Sequence, residues 1–349
     1  MSAARTPSHS VVVAVLLGDP RLPYSYAIEE RFGAEEQQAV DRLKAALAAI
    51  KGFTFRYLDD HASLLDELRR WPPSLALNLC DTGFRNDTAR ELNIPALLEI
   101  LDIPYSGAAP ACMSLATDKA IVRAVAQSLG IPVPNEMFVD LNADPLVLPT
   151  LYPVLIKPNL SDGSFGITKD CVVRDAAEAK HYLHWLATML ERPEALIQDF
   201  LTGTEYTIGL IGNIDQGFTY LPPLEVDYTQ LDPDLPPILS YASKADPDSP
   251  YWQKLRYRPA QLDMVTQGRL YDYCTLLFKR LGLRDYGRFD FRAGADGEPR
   301  LLEVNHNPAW AWDGKLNIMA GFAGYTYTDL LRLILEAALR RVGLRVAHG

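Results

Sequence analysis

Residues 286–308, YGRFDFRAGADGEPRLLEVNHNP, hold two runs of alternating polarity joined by a turn-forming segment. In the first run Arg288, Asp290 and Arg292 alternate with Phe289 and Phe291; in the second, Glu303 and Asn305 alternate with Leu302 and Val304. A period of two sends each set to one face of a strand. The GADGEP turn predicts an antiparallel hairpin in which Asp290 is a cross-strand neighbour of the Glu303/Asn305 pair. Two carboxylates and an amide oxygen beside a guanidinium are too polar for a core unless ions sit among them. Such hard oxygen ligands suit Mg2+, which takes few protein ligands and completes its shell with phosphate oxygens and water. A solvent-facing hairpin laced with salt bridges fits the same pattern.

The rest of the chain predicts a mixed α/β protein. A polar leader, residues 1–9, precedes VVVAVLL, which Gly18, Asp19 and Pro20 close at once. That run is too short to span a membrane and reads as a buried strand. EEQQAVDRLKAALAAIKG follows with apolar residues at helical spacing, then FTFRYL as a strand, HASLLDELRRW as a helix and SLALNLC as a third strand. Strands alternating with helices imply a parallel, doubly wound sheet. A length of 349 residues leaves room for two or three such units. The net charge of −10, with both signs interspersed, argues against nucleic acid or an anionic membrane as partner. Cys80, Cys112, Cys171 and Cys274 are far apart in sequence, as expected of reduced thiols in a cytoplasmic protein.

Beyond residue 115 several polar groups stand where helix or strand stability does not ask for them. Thr117 or Asp118 is placed to cap a helix ending near Gly130, which puts Lys119 in a first turn where its charge opposes the helix dipole, although a solvated surface lysine fits the same position. Lys157 ends the strand of YPVLIKPNLSDGSFGITKDCVV, and the glycine-containing loop 159–166 returns into a second apolar strand. Backbone N–H groups of such a loop suit phosphates, although no G-K-[ST] opens a helix here; a plain hairpin turn has the same composition. ALIQDFL and EYTIGLIG read as strands with a hinge between them, which lets the backbone of Gln198–Leu201 face an adenine edge and Glu205 a ribose hydroxyl, although the pattern alone is generic. His181 and His184, one helical turn apart without a carboxylate, read as surface or packed residues.

In order, ATDK, VLIKPNLSDGSFGI, IQDFLTGTEYT, SYASKAD, GRFDF and LLEVNHNP resemble the motifs of ATP-grasp enzymes, specifically the branch of D-alanine:D-alanine ligases. The resemblance runs from about Asn78 past Asn305. It implies an α/β (α+β) ATP-grasp fold: a Rossmann-like N-terminal domain over residues 1–115 and two α+β domains, 116–203 and 204–349, that sandwich ATP. By motif match, Lys119 and Lys157 contact ATP phosphates, Ser161, Gly163, Ser164 and Gly166 belong to the phosphate-covering loop, and Gln198, Asp199, Phe200, Leu201 and Glu205 hold the adenosine. Lys244 reaches the γ-phosphate, Arg288 stabilises the acyl phosphate, and Ser164 joins them in catalysis. Asp290, Glu303 and Asn305 carry two Mg2+, or Mn2+ in their place. The implied substrates are a small-molecule carboxylate and an amine, joined as an amide with release of ADP and phosphate by a cytoplasmic homodimer.

The substrate side departs from the family. The Gly-Gly-x-Ser-x-Glu stretch that grips the first amino acid is absent, leaving Glu29 or Glu30 as substitutes. Cys80-Asp81 replaces a His-Gly pair, Gly163-Ser164 a double serine, and Pro308-Ala309 a Pro-Gly, followed by Trp310 and Trp312. Asp81, Ala309, Trp310 and Trp312 are therefore the candidate substrate residues, with the tryptophans either lining a pocket or packing under the loop. Ligation in small-molecule biosynthesis fits better than cell-wall dipeptide synthesis. An ATP-grasp enzyme that phosphorylates its substrate or drives another condensation, and a silent ATP-binding module, are the alternatives.

Overall fold

The computed structural model describes residues 10–23, 33–161 and 163–345. Glu29 and Glu30 lie outside the described residues. Three sheets follow one another along the chain. The first joins β1 (Val11–Leu16), β2 (Phe53–Leu58) and β3 (Leu75–Asn78) in the order β2-β1-β3, all parallel. Helices lie on both of its faces, because β1 is apolar throughout. Val13 and Val15 pack with Leu43 and Leu47 of the helix Ala34–Ala48, while Ala14 and Leu16 pack with Leu64 and Leu68 of the helix Leu64–Arg70. A continuous apolar run buried on both faces is what a parallel strand requires.

The second sheet contains β4 (Glu136–Asp140), β5 (Val154–Pro158), β6 (Val172–Val173) and β7 (Glu194–Asp199), in the order β4-β7-β5-β6 with antiparallel neighbours. The helix Ala176–Met189 covers it with Ala179, Tyr182, Leu183 and Leu186; Asp175 caps that helix by accepting from the N–H groups of Ala177 and Glu178. The expected strand GITKDCVV shrinks to two residues. Its first part spends its backbone on turns, with Ile167 N donating to Ser164 O and Cys171 N to Thr168 O, and the Tyr182 hydroxyl holds that turn by donating to Gly166 O at 2.8 Å. Gly166 sits at φ +72°, where a Cβ would also strike Pro158.

The third sheet is built from β8 (Glu205–Asn213), β9 (Gly217–Tyr220), β10 (Leu224–Asp227), β11 (Arg256–Pro259), β12 (Tyr286–Ala293) and β13 (Pro299–Asn305). Its order is β11-β10-β8-β12-β13, with β9 beside β8. Phe289 and Phe291 face the helix Met264–Leu281 through Leu277 and Phe278. The opposite side shares a core with the first sheet through the C-terminal helix Tyr327–Arg341, whose Leu330, Leu331, Ile334 and Leu335 are buried there.

One carboxylate ties these parts together. Asp285, fully buried, accepts from Gly107 N at 2.9 Å, from Asn213 Nδ2 at 3.1 Å, and from Arg341 Nε and Nη2, both at 2.8 Å. It thereby links the segment after β3, the end of β8 and the last turn of the C-terminal helix. Removing one member of a buried ion pair leaves the other uncompensated, at a cost of about 3–5 kcal/mol. Asp285→Ala is therefore expected to lose about that much stability, read as a lower urea midpoint; a midpoint unchanged from wild type would contradict this role.

Candidate active site

The hairpin places its polar face as the alternation requires. Arg288 pairs with Asn305 and Asp290 with Glu303 across β12 and β13, and a bulge follows Asp290. Asn305 Nδ2 lies 3.2 Å from Asp290 Oδ2 and 3.4 Å from Glu303 Oε1, so one amide bridges two carboxylates. Arg288 donates to Asp290 Oδ2 at 3.2 and 3.0 Å and stands 3.8 Å from Glu303. Burial alone would raise the Asp290 pKa; Arg288 and Lys315 override it and hold the group far below the usual carboxylate range. Glu303 faces the cleft, and its carboxylate with the amide oxygen of Asn305, whose Nδ2 points at the two acids, offers the hard oxygen donors that Mg2+ takes.

Cationic groups converge on this floor from other elements. Asp118 caps the helix Lys119–Ser128 by accepting from Ile121 N, and Lys119, buried at its first position, donates to the Ser161 carbonyl. Lys157 on β5 is buried and donates to Leu302 O at 3.4 Å; burial pulls its pKa down against the opposing pull of Glu136. The turn bearing Gly163, Ser164 and Gly166 crosses above, with all three at positive φ. Lys244, in the short helix Ala242–Ala245, is exposed at the cleft mouth and donates to Ser164 Oγ at 2.9 Å. The protein atoms crowding its ammonium, and then Lys315, lower its pKa to about 8.

At the far end the cleft is lined by Gln198, Phe200, Leu201, Glu205 and Arg292. Gln198 Oε1 and Arg292 Nε are buried without a hydrogen-bond partner, an acceptor and a donor that an incoming ligand would satisfy. Glu205 accepts from the Tyr228 hydroxyl at 2.7 Å and pairs with Arg292 at 3.3 Å. The Asp199 carboxylate accepts from Asn135 Nδ2 instead, and Asp199 does not line the cleft.

The structure does not bring Asp81, Ala309, Trp310 and Trp312 into that cleft. Asp81 follows β3, where surrounding protein raises its pKa to about 6 and the Trp310 side chain opposes the rise. Trp310 donates from Nε1 to Leu79 O at 2.8 Å, accepts at its carbonyl from the Tyr327 hydroxyl at 2.9 Å, and packs on the shared core. Trp312 instead stacks under Arg42, 3.7 Å from its ring centroid. Ala309 is exposed. Sequence reasoning missed Thr207 and Lys315, and it placed Arg292 on the polar face without giving it a role. Lys315 opens the helix Lys315–Phe322, so the dipole conflict that singled out Lys119 was available there too.

A cleft between a four-stranded and a six-stranded sheet, with lysines converging on a carboxylate–amide hairpin, defines an ATP-grasp enzyme. The family described as "D-ala D-ala ligase C-terminus" matches residues 125–336, and the chain belongs to it. A D-alanine–D-alanine ligase of Agrobacterium fabrum is 27% identical over 338 residues, covering 93% of this chain and 97% of the relative. The uncharacterized protein y4sG of Sinorhizobium fredii is 28% identical over 252 residues, 72% of this chain and 71% of that one. The crystal structure of D-alanine–D-alanine ligase from Bacillus anthracis complexed with ATP superposes with a TM-score of 0.70 at 20% identity, covering 95% of this chain and 98% of that one. The last likeness shows the fold.

Trp310→Ala is expected to lower stability by about 3 kcal/mol, because a packed ring and its hydrogen bond to Leu79 are lost together. Thermal melting checks this, and an unchanged melting temperature with an altered product profile would make Trp310 a pocket residue instead.

Proposed function

We propose that this protein is an ATP-dependent carboxylate–amine ligase that works through an acyl phosphate on amino-acid-like substrates. The observation that carries this reading is the convergence of Lys119, Lys157, Lys244, Arg288 and Lys315 on one cleft whose floor holds Asp290 and Glu303. At the opposite end wait the unpaired Gln198 Oε1 and Arg292 Nε. A nucleoside triphosphate matches both ends, its phosphates among the cations and its base at the orphaned groups. The 116–203 and 204–349 lobes close on it from two sides, and the 1–115 lobe offers substrate contacts.

In the first step a substrate carboxylate oxygen attacks the γ-phosphorus, the bond to the β-γ bridging oxygen breaks, and ADP leaves. In the second an amine nitrogen attacks the activated carbonyl, phosphate leaves with the C–O electron pair, and the nitrogen gives up its proton. Charge gathers on phosphoryl oxygens in both steps. Lys157 and Lys244 stand over those oxygens, Ser164 orients Lys244, and Arg288 stabilises the acyl phosphate and then the oxyanion of the addition intermediate. Mg2+, or Mn2+ in its place, would be held by Glu303 and Asn305 beside Asp290 and supplies Lewis-acid charge neutralisation when bound. No side-chain nucleophile is needed. The missing Gly-Gly-x-Ser-x-Glu stretch favours a dipeptide or amide of small-molecule biosynthesis over a cell-wall dipeptide. The family likeness supports a cytoplasmic homodimer.

The deciding experiment incubates the protein with ATP, Mg2+ and pooled L- and D-amino acids, reading ADP and product masses. ADP formation with a product equal to two components minus water is expected, and Glu303→Gln should abolish both while keeping the wild-type melting temperature. A phosphorylated product without condensation would overturn the ligase reading.

Lys244 adds a pH signature. With its pKa lowered to about 8, the free enzyme loses that charge as pH rises through this value. The kcat/KM for ATP, which reports free-enzyme groups, should fall above a pH of about 8, and Lys244→Arg should remove the fall. A profile identical in both proteins would assign the titration elsewhere.

A further inference from the structure

Asp290 is the acid of the cleft floor whose lone pairs are nearly all engaged, and the ammonium of Lys315 stands over the remaining one. Its Oδ1 accepts from the Thr207 hydroxyl at 2.6 Å, and its Oδ2 accepts from Arg288 Nε and Nη2 at 3.2 and 3.0 Å and from Asn305 Nδ2 at 3.2 Å. Each carboxylate oxygen offers two lone-pair directions: three donors saturate Oδ2, while the single bond from Thr207 leaves Oδ1 one direction open. The Lys315 ammonium adds a full charge, 3.6 Å from Oδ1 and 3.3 Å from the Thr207 hydroxyl. Glu303 is different: its side chain is 34% exposed, and its nearest partners are the Asn305 amide at 3.4 Å and Arg288 at 3.8 Å.

Lys315 is also in an electrostatically poor place for its helix. At the first position of the helix Lys315–Phe322 its charge opposes the dipole, and its side chain is only 11% exposed. Helix stability gives no reason for a cation there, whereas Asp290 does. Lys315 moreover pushes on Lys244, so the neighbourhood already carries an excess of positive charge. A divalent ion on Asp290 Oδ1 would have to displace the ammonium from that oxygen and add to the crowding.

We propose that Lys315 stands in for the second of the two metal ions the family resemblance implies, so that the chain holds a single divalent ion on Glu303 and Asn305. Asp290 is then the counter-ion that fixes Lys315 and Arg288, a positioning residue for both. The substitution trades a Lewis acid for a permanent single charge that needs no free metal. This inference rests on the ligase reading for the presence of nucleotide and metal.

The test saturates the full chain with Mn2+ and a non-hydrolysable ATP analogue, counts bound ions by equilibrium dialysis, and records the electron paramagnetic resonance spectrum. One Mn2+ per chain with the sharp hyperfine pattern of an isolated ion is expected. Lys315→Met, with Lys315→Gln as a second variant if the first fails to fold, should bind a second Mn2+ and give the broadened spectrum of two coupled ions. Two ions in the wild-type protein overturn the inference and leave the ligase reading intact. A folded Lys315 variant that still binds one ion overturns it as well. Binding of no Mn2+ overturns the metal site of the ligase reading, and this inference with it.

Discussion

The buried Asp285 carboxylate sets the geometry from which the site follows. It lies immediately before β12 at φ +67° and is held by donors from three parts of the chain. The strand that carries Arg288, Asp290 and Arg292 therefore starts from a fixed point. An ion pair of this kind adds less to net stability than its short distances suggest, because desolvation offsets most of the attraction. What it supplies is alignment: the N-terminal sheet, the six-stranded sheet and the C-terminal helix meet at a single group. Trp310 reinforces that alignment from the other end of the hairpin, since its ring reaches back to Leu79 beside β3.

From that anchor the cleft is an exercise in charge placement. Lysines come from a helix start, a strand and a short surface helix; Lys119 and Lys157 are buried, and Lys244 stands exposed at the mouth. Burial depresses the Lys157 pKa, and surrounding protein atoms with Lys315 depress that of Lys244, so these groups hold their charge at a cost that an arriving polyanion would relieve. The electrostatics are thus arranged for a ligand more negative than the site itself. That is consistent with a protein of net charge −10 gripping phosphates through a local basic cluster.

Much of this was legible in the sequence because it rests on short-range rules. Strict alternation in GRFDF and LLEVN placed Asp290 opposite Glu303, and a lysine in a first helical turn exposed Lys119. The strand after the glycine loop was misjudged in length, because turn hydrogen bonds among residues 164–171 compete with pairing and leave no trace in apolar periodicity. The strand's alternation turns the Asp199 carboxylate toward Asn135 and away from Gln198, which leaves only its backbone to face the cleft side. Thr207 escaped notice, and Arg292 was placed on the polar face without a role, because their partners come from strands adjacent in space and distant in the chain. The tryptophans were ambiguous for a similar reason. Only the tertiary path shows Trp310 pinned between Leu79 and Tyr327, with Trp312 lying beneath Arg42 on another helix.

The bond from Lys244 to Ser164 joins the two rims of the cleft mouth without any ligand. It pairs a cation with a neutral hydroxyl, which is a weaker partner than an anionic oxygen. Under the proposed function a terminal phosphate would compete with the serine for that ammonium, so the Lys244–Ser164 bond would be exchanged for a stronger, charge-assisted one when a triphosphate binds.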